Sequence, residues 1–405
     1  MIVPAGAAPE ARLLLIGRGL RAFVDGYVAV LLPAYLLALG FGTGEVGLVS
    51  TATLLGSALA TLAVGAWGHR FHPRRLLLGA ALLMTCTGLA FAGLSAFWPL
   101  MLIAFVGTLN PSSGDVSVFL PLEHARLAEA AQGEARTTLF ARYSLTGALC
   151  AALGALAAAV PDGLAGVGIG RLDALRVMFL AYGGAGFAVW LLYRKLPQLP
   201  RHTQPAPRAP LVVSRSIVFR LAALFSLDAF AGGLVVNSLL ALWLFQRFGL
   251  SLAAAGSFFF WVGLLTAASQ LAAPWVARRF GLLNTMVFTH PPANGCLIAA
   301  AFAPSLPVAL GLLLARSALS QMDVPTRSAF VMAVVTPPER AAAASFTAVP
   351  RSLAAALSPS LGGALFAAGW LAAPLLACGL LKITYDLALW RAFRRIGPGR
   401  DSRAE

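Results

Sequence analysis

Gly65-Ala66-Trp67-Gly68-His69-Arg70-Phe71-His72 closes one long apolar run, and Pro274-Trp275-Val276-Ala277-Arg278-Arg279-Phe280-Gly281 closes another. Arg70-Phe71 falls on Arg279-Phe280 at an offset of 209 residues. The same offset carries Gly47 onto Gly256 and Arg142 onto Arg351, and each of these arginines is followed twelve residues later by a Gly-Ala-Leu. The chain is therefore a duplication of a polytopic unit. Two related halves that rock about a site held between them are the architecture of secondary transporters.

Composition agrees with a membrane chain. Of 405 residues, 59% are hydrophobic and 11% charged, about half the charge a soluble domain carries to wet its surface. A spanning helix takes about 20 apolar residues. Apolar runs over roughly 13–38, 44–66, 76–96, 98–122, 137–159 and 173–193, then 216–245, 251–276, 283–303, 305–335, 342–367 and 370–392, predict twelve spans. The stretch from Arg194 to Arg215 holds five prolines, a density that favours an extended linker over helix. The expected organisation is an all-α protein with a six-helix bundle over 1–193, a linker over 194–215, a second six-helix bundle over 216–393 and a tail over 394–405.

The net charge of +15 marks orientation rather than nucleic-acid binding. Of the 30 Lys and Arg, 22 fall in alternate loops and the two termini, Arg12, Arg18, Arg21 and Arg126 among them, and three in the opposite loops. By the positive-inside rule this places both termini and the linker in the cytoplasm, with a bacterial inner membrane as the expected location. The four cysteines lie in separate apolar runs without a CxxC pair, so they read as small buried hydrophobes. The first apolar run lacks a small-residue cleavage site and reads as a span rather than a signal peptide.

With the duplication, the linker and the basic loop on the page, the chain resembles the major facilitator superfamily over nearly its whole length. That family carries Gly-x-x-x-Asp-Arg-x-Gly-Arg-Arg between spans two and three. Here Gly65, Arg70 and Arg74 match, followed by Arg75, while His69, His72 and Pro73 depart from it. Arg279 and Gly281 repeat the loop in the second half. The resemblance implies that this loop helps hold one conformational state through charge contacts. A second family pattern, Gly-x-x-x-Gly-Pro-x-x-Gly-Gly in span five of proton-coupled exporters, appears instead in span eleven as Ser358-Pro359-Ser360-Leu361-Gly362-Gly363. The resemblance also implies two bundles related by a pseudo-two-fold axis, and a monomer working without cofactor or metal.

Charges inside spans cost about 2.5–3.5 kcal/mol each on insertion scales and line cavities or pair. Asp25 lies mid-way along span one, one helical turn after Arg21, and Asp228 occupies span seven. Span four carries Asn110-Pro111-Ser112-Ser113-Gly114-Asp115, a weak point in the helix, with Arg142 at comparable depth as a partner for Asp115. In span ten Arg316, Ser320, Asp323 and Arg327 predict one continuous polar stripe, interrupted by Pro325, with Arg351 entering from span eleven. Asp25, Asp115, Asp228 and Asp323 are the candidate proton-coupling acids, Asp25 first. Arg142, Arg316, Arg327, Arg351, Asn110 and Asn237 are the candidate cavity residues. His290, beside Pro291-Pro292, reads as helix-end packing. No HExxH, clustered histidines or Walker A sequence supports an enzyme or an ATPase. The expected function is transport of a small solute by alternating access, as proton-coupled efflux, with uptake or facilitated transport of an organic anion or zwitterion as the alternative.

Overall fold

The computed structural model describes residues 8–112, 117–198 and 211–394. Asp115, most of the linker and the tail after Arg394 lie outside the described residues. Within them the protein is helical, without a strand. The first half holds α1 (Ala11–Ala38), α2 (Thr43–Trp67), α3 (Pro73–Gly93), α4 (Phe97–Val106), α5 (Phe119–Ala130), α6 (Gly133–Leu156), α7 (Val160–Gly166) and α8 (Arg171–Tyr193). The second holds α9 (Arg215–Gly233), α10 (Asn237–Phe248), α11 (Leu252–Phe280), α12 (Leu282–Phe288), α13 (His290–Ala301), α14 (Leu306–Leu319), α15 (Asp323–Val334), α16 (Arg340–Ala367) and α17 (Ala373–Phe393).

Eight of the described segments are long and apolar enough to cross a membrane. The remaining apolar segments are broken or rich in small residues. The expected span four is not one helix: α4 ends at Val106, and α5 resumes at Phe119 and runs eight residues past the expected boundary at 122. Expected spans seven, nine and ten are likewise divided, at 234–236, at Thr289 and at 320–322. The break in span seven follows Gly232-Gly233 and ends on Val236 in extended backbone, where glycine entropy and a β-branched residue both disfavour helix.

Side chains sort by the environment of each helix face. On α8, Val177, Leu180, Phe187 and Leu191 are exposed, whereas Leu175, Phe179, Tyr182, Val189 and Tyr193 are buried. An apolar stripe left uncovered at helical spacing is a surface for acyl chains. The same division recurs on α17, where Leu380 and Leu387 face out and Tyr385, Leu389 and Phe393 face in.

By packing the chain divides into two compact units, Met1–Gln204 with Val236–Gly263, and Pro205–Val235 with Leu264–Glu405. In the first unit α1 and α6 meet backbone to backbone. A Cβ on Gly154 would lie 1.8 Å from the Phe23 carbonyl oxygen, and one on Gly26 would lie 2.1 Å from that of Ala151. Such small-residue contact draws helices together where lipid supplies no hydrophobic drive. An aromatic core of Tyr35, Phe91 and Phe179 fills the space beside them, with Tyr35 and Phe179 ring centroids 4.6 Å apart. In the second unit α9 packs on α16 through Gly233, where a Cβ would meet Ser358 Oγ at 2.0 Å. Val218, Phe225, Met286, Phe330, Tyr385 and Phe393 form its core.

The linker's described ends are gripped by opposite charges. Arg74 donates to the Arg194 carbonyl at the end of α8, and Arg126 donates to that of Pro197 at 2.9 Å. At the start of α9, Glu339 accepts from the N–H groups of Val212, Val213 and Ser214 at 2.6, 2.9 and 2.8 Å, and from the Thr336 hydroxyl at 3.0 Å. Cations at a helix C-terminus and an anion at an N-terminus both complement the helix dipole. The Val212 N–H, the Ser214 hydroxyl and the remaining donors pull the Glu339 carboxyl down from 4.5 to about 2.

Candidate functional site

Arg18, Arg21 and Asp25 share one face of α1, but the local Arg21–Asp25 pair that their spacing suggests is not the dominant contact. Arg21 instead pairs with Glu123, presented by α5 because span four is broken and re-aimed. Glu123 also accepts hydrogen bonds from the hydroxyls of Tyr143 on α6 and Tyr193 on α8. The carboxylate is fully buried, and three charge-assisted bonds offset what burial costs it. The Arg21 guanidinium lies 4.0 Å over the Phe119 ring, and Arg18 lies 5.3 Å over Tyr143. Arg18, Arg21 and Arg126 were grouped with the cytoplasmic positives by sequence, yet all three are buried in helices. Asp25 is half-buried, with Arg21 and then Arg18 the cations that act on it.

Two broken helices satisfy each other inside the first unit. The Asn110 side-chain oxygen accepts from the Ser112 N–H at 3.1 Å and its hydroxyl at 2.8 Å, closing a turn within the break. The Tyr182 hydroxyl donates to the Thr108 carbonyl at 2.9 Å. The Pro111 carbonyl accepts from the Ser238 N–H at 3.0 Å, and the Ser112 carbonyl from the Asn237 amide at 2.9 Å. Ser238 Oγ is 3.2 Å from Ser50 Oγ on α2. Backbone groups freed at membrane depth must find partners within the protein, and here the carbonyls freed in span four meet the donors left over at the start of α10. Asn110 and Asn237 thus come together, as buried or half-buried structural donors and acceptors.

The second unit holds a larger charge cluster. Asp228 on α9 pairs with Lys382 on α17 and with Arg327 on α15 at 3.2 Å. Arg327 also pairs with Asp323, one turn before it. His290, the first residue of α13, reaches Asp386 on α17 with Nδ1 at 3.0 Å and Asp323 with Nε2 at 3.4 Å. His290, Asp228, Asp323 and Asp386 are each no more than 3% exposed. The continuous stripe expected along span ten does not form, because α14 ends at Leu319 and Asp323 begins α15. Arg316 is therefore separated from Asp323 and Arg327 by a non-helical link at 320–322. Pro325 sits in the first turn of α15, where its missing N–H costs nothing, rather than interrupting a helix. Arg351 is exposed on α16; Arg327 and Asp228 are the nearest charges acting on it. Arg142 is half-buried on α6.

Of the loop residues, Gly65 lies within α2, Arg70 follows it, and Arg74 and Arg75 open α3. Arg75 lines a cavity of about 250 Å³ between α2, α3 and the broken span four. Arg279 lies in the last turn of α11 with its guanidinium 5.7 Å from the Phe280 ring, and Gly281 turns the chain at φ +83°, a backbone region that glycine enters without strain. Sequence reasoning missed Glu123, which fell one residue beyond the expected end of span four. It also missed Asp386, and left Lys382 and His290 without partners. The i, i+4 spacing of Lys382 and Asp386 in an otherwise apolar run was a readable signal.

The family model of the Major Facilitator Superfamily matches residues 14–320. The chain belongs to the Major Facilitator Superfamily. An uncharacterized membrane protein of Saccharomyces cerevisiae, YJR124C, is 23% identical over 95% of this chain and 94% of the relative. Solved structures of the superfamily's fold match closely in shape. A bacterial homologue of the human lysosomal transporter Spinster, in an inward-facing and occupied conformation, superposes with a TM-score of 0.76 at 16% identity, covering 97% of this chain and 98% of that one. The nucleoside transporter NupG gives 0.74 at 15% identity, over 95% and 99%. A D-xylose–proton symporter gives 0.73 at 16% identity, over 94% and 96%. This superfamily member is thus an all-helical, multi-pass membrane protein of the transporter fold.

Proposed function

We propose that the protein is a twelve-span secondary active transporter that moves a small solute by alternating access at the expense of a proton gradient, exporting the solute as protons enter. The observation that carries this reading is the pair of buried ionisable clusters, one in each unit. Such groups are too costly at membrane depth to serve packing alone. Asp25 is the proposed coupling acid: it shares a helix face with Arg21, whose guanidinium is already engaged by Glu123. A carboxylate that trades arginine contact for an apolar setting binds a proton in one state and releases it in the other. The exporter pattern stands in span eleven, as Ser358–Gly363, rather than in span five, so it does not carry the efflux reading. Both signs of charge in the clusters suit an anionic or zwitterionic solute, and Arg142, Arg316 and Arg351 are the cations proposed to meet it. The proposed organisation is two six-span halves, 1–193 and 216–393, joined by a cytoplasmic linker, in a monomer with both termini in the cytoplasm of a bacterial inner membrane.

The test is a screen of sugars, nucleosides and organic anions in proteoliposomes with an imposed pH gradient. Asp25→Asn keeps size and hydrogen bonding but takes up no proton. It should abolish gradient-driven accumulation by at least tenfold while leaving solute exchange at equal pH largely intact. If Asn variants of Asp25, Asp115, Asp228 and Asp323 all concentrate solute as the parent does, coupling through these acids is wrong. Cysteines introduced near Gln204 and near Asp162 should label from opposite sides of the membrane.

A further inference from the structure

The cluster in the second unit contains a histidine, His290, to which the proposed coupling through Asp25 gives no role. His290 opens α13 directly after the break at Thr289, and Pro291 and Pro292 behind it set the backbone for the first turn. Its ring is clamped between two carboxylates on different helices, Asp386 at Nδ1 and Asp323 at Nε2. A neutral imidazole has one N–H. It can donate to one of these carboxylates, and must then turn a lone pair toward the other. An imidazolium donates to Asp386 and turns its second N–H and its charge toward Asp323, 3.4 Å away.

Charge counting gives the same answer. The paired set holds three aspartates, Asp228, Asp323 and Asp386, against two permanent cations, Lys382 and Arg327. A protonated His290 brings it to neutrality; a neutral one leaves a buried negative charge. Asp386 bears that deficit, since His290 is its paired cation and its buried Oδ2 has no hydrogen-bond partner among the described residues. Nearby, Tyr385 and Asn294 contribute only a hydroxyl and an amide, and both are buried. Arg351 on α16 is exposed, and Arg316 on α14 is half-buried beside Cys378, so neither enters the paired set. Among the described residues no group of His, Cys, Asp and Glu is arranged to hold a metal ion, which leaves the proton as the occupant the ring geometry fits.

We propose that His290, held between Asp386 and Asp323, is a proton-binding site of the transport cycle in the second unit, distinct from Asp25. Loss of its proton weakens the contacts that hold His290 on α13 to Asp323 at the start of α15 and to Asp386 on α17, and so loosens the chain around the break in span ten. Histidine is the side chain whose charge ordinarily changes between about pH 5 and 8, and the test spans that range. The inference rests on the proton-coupled reading, but a different measurement decides it.

Full-length protein labelled with 15N-histidine is titrated by NMR in micelles from pH 5 to 9, with the His290 signal assigned by its absence in His290→Gln. The expected result is an imidazolium with both ring nitrogens protonated at the acid end, deprotonating as pH rises, and a proton affinity at least tenfold lower in Asp386→Asn. In proteoliposomes, exchange of whichever panel solute the parent carries is measured at equal pH on both sides from 6 to 8. The parent should change at least threefold across that range, and His290→Gln should be flat. Asp386→Asn gives the same reading if His290→Gln fails to fold. A ring that stays neutral in one tautomer throughout, or a pH profile that survives both substitutions, overturns the proposal while gradient-driven accumulation by the parent keeps the coupling reading. A parent that accumulates no solute under any gradient fails the coupling reading itself, and this inference with it.

Discussion

The two buried charge clusters solve one problem by different chemistry. In the first unit a single carboxylate, Glu123, is served by one arginine and two tyrosine hydroxyls. All of these are donors to one carboxylate, so the cluster reads as a lock. In the second unit three aspartates share a lysine, an arginine and a histidine. That set changes charge with a single proton, and it bridges four helices, α9, α13, α15 and α17. The lock and the switch are buried alike, and only the second contains a histidine.

Breaking the lock should have the largest effect. Glu123→Ala leaves Arg21 buried without its partner and strands two tyrosine hydroxyls, a loss on the order of 3–5 kcal/mol. Thermal unfolding of the purified protein should show a large fall in Tm, or little folded protein at all. A Tm within two degrees or so of the parent would mean that water or another acid serves Arg21, and the lock reading fails. Lys382→Met in the switch should cost less, because Asp228 keeps Arg327 at 3.2 Å, and the loss should be partly recovered in Lys382→Met/Asp228→Asn. Non-additivity of that double variant measures the pair directly.

The glycine contacts sharpen the comparison at smaller scale. Gly26→Ala drives a methyl into the Ala151 carbonyl, which is backbone and cannot turn aside, so α1 and α6 must separate, at about 1–3 kcal/mol. Gly233→Ala meets the Ser358 hydroxyl first and the Ala355 carbonyl at 2.5 Å behind it. Ser358→Ala should therefore relieve only part of that cost, as read by Tm.

Glu339→Gln should be the mildest. Its carboxyl is held at about 2 against an ordinary 4.5 by the Val212 N–H and its neighbours. A depressed carboxyl stabilises the fold above its unfolded value and loses that contribution as pH falls through its folded value. The variant should thus melt below the parent at pH 7, and the gap should close between about pH 4.5 and 2. A gap that is constant with pH would show that the carboxylate charge is not what clasps the start of α9.

Much of this was legible in the residues. Apolar length, the 209-residue repeat and the basic loops announced a helical, membrane-spanning superfamily member, because lipid forces backbone groups to pair within each segment. Arg142 lies near the middle of α6 and Arg351 near the middle of α16. The site was legible only in part. Asp228, Asp323 and Arg327 were singled out and do converge, yet the stripe through Arg316 was drawn on a helix that breaks after Leu319. Asp25 and Arg21 were placed as neighbours, and Arg21 went instead to Glu123, which lies 102 residues away in sequence.

What the sequence alone determined is everything that depends on a residue's own surroundings along the chain: which stretches are apolar enough to enter lipid, where they repeat, and which charges enter with them. What only the tertiary structure decided is which charge answers which. A buried ion must be neutralised by whatever donor or acceptor the packed helices bring within about 3–4 Å, and that partner is selected by helix breaks and by glycine-sized gaps between helices. The broken span four delivers Glu123 to Arg21, and the break before α13 delivers His290 to Asp386. Neither meeting is encoded in spacing, because both depend on where a helix stops.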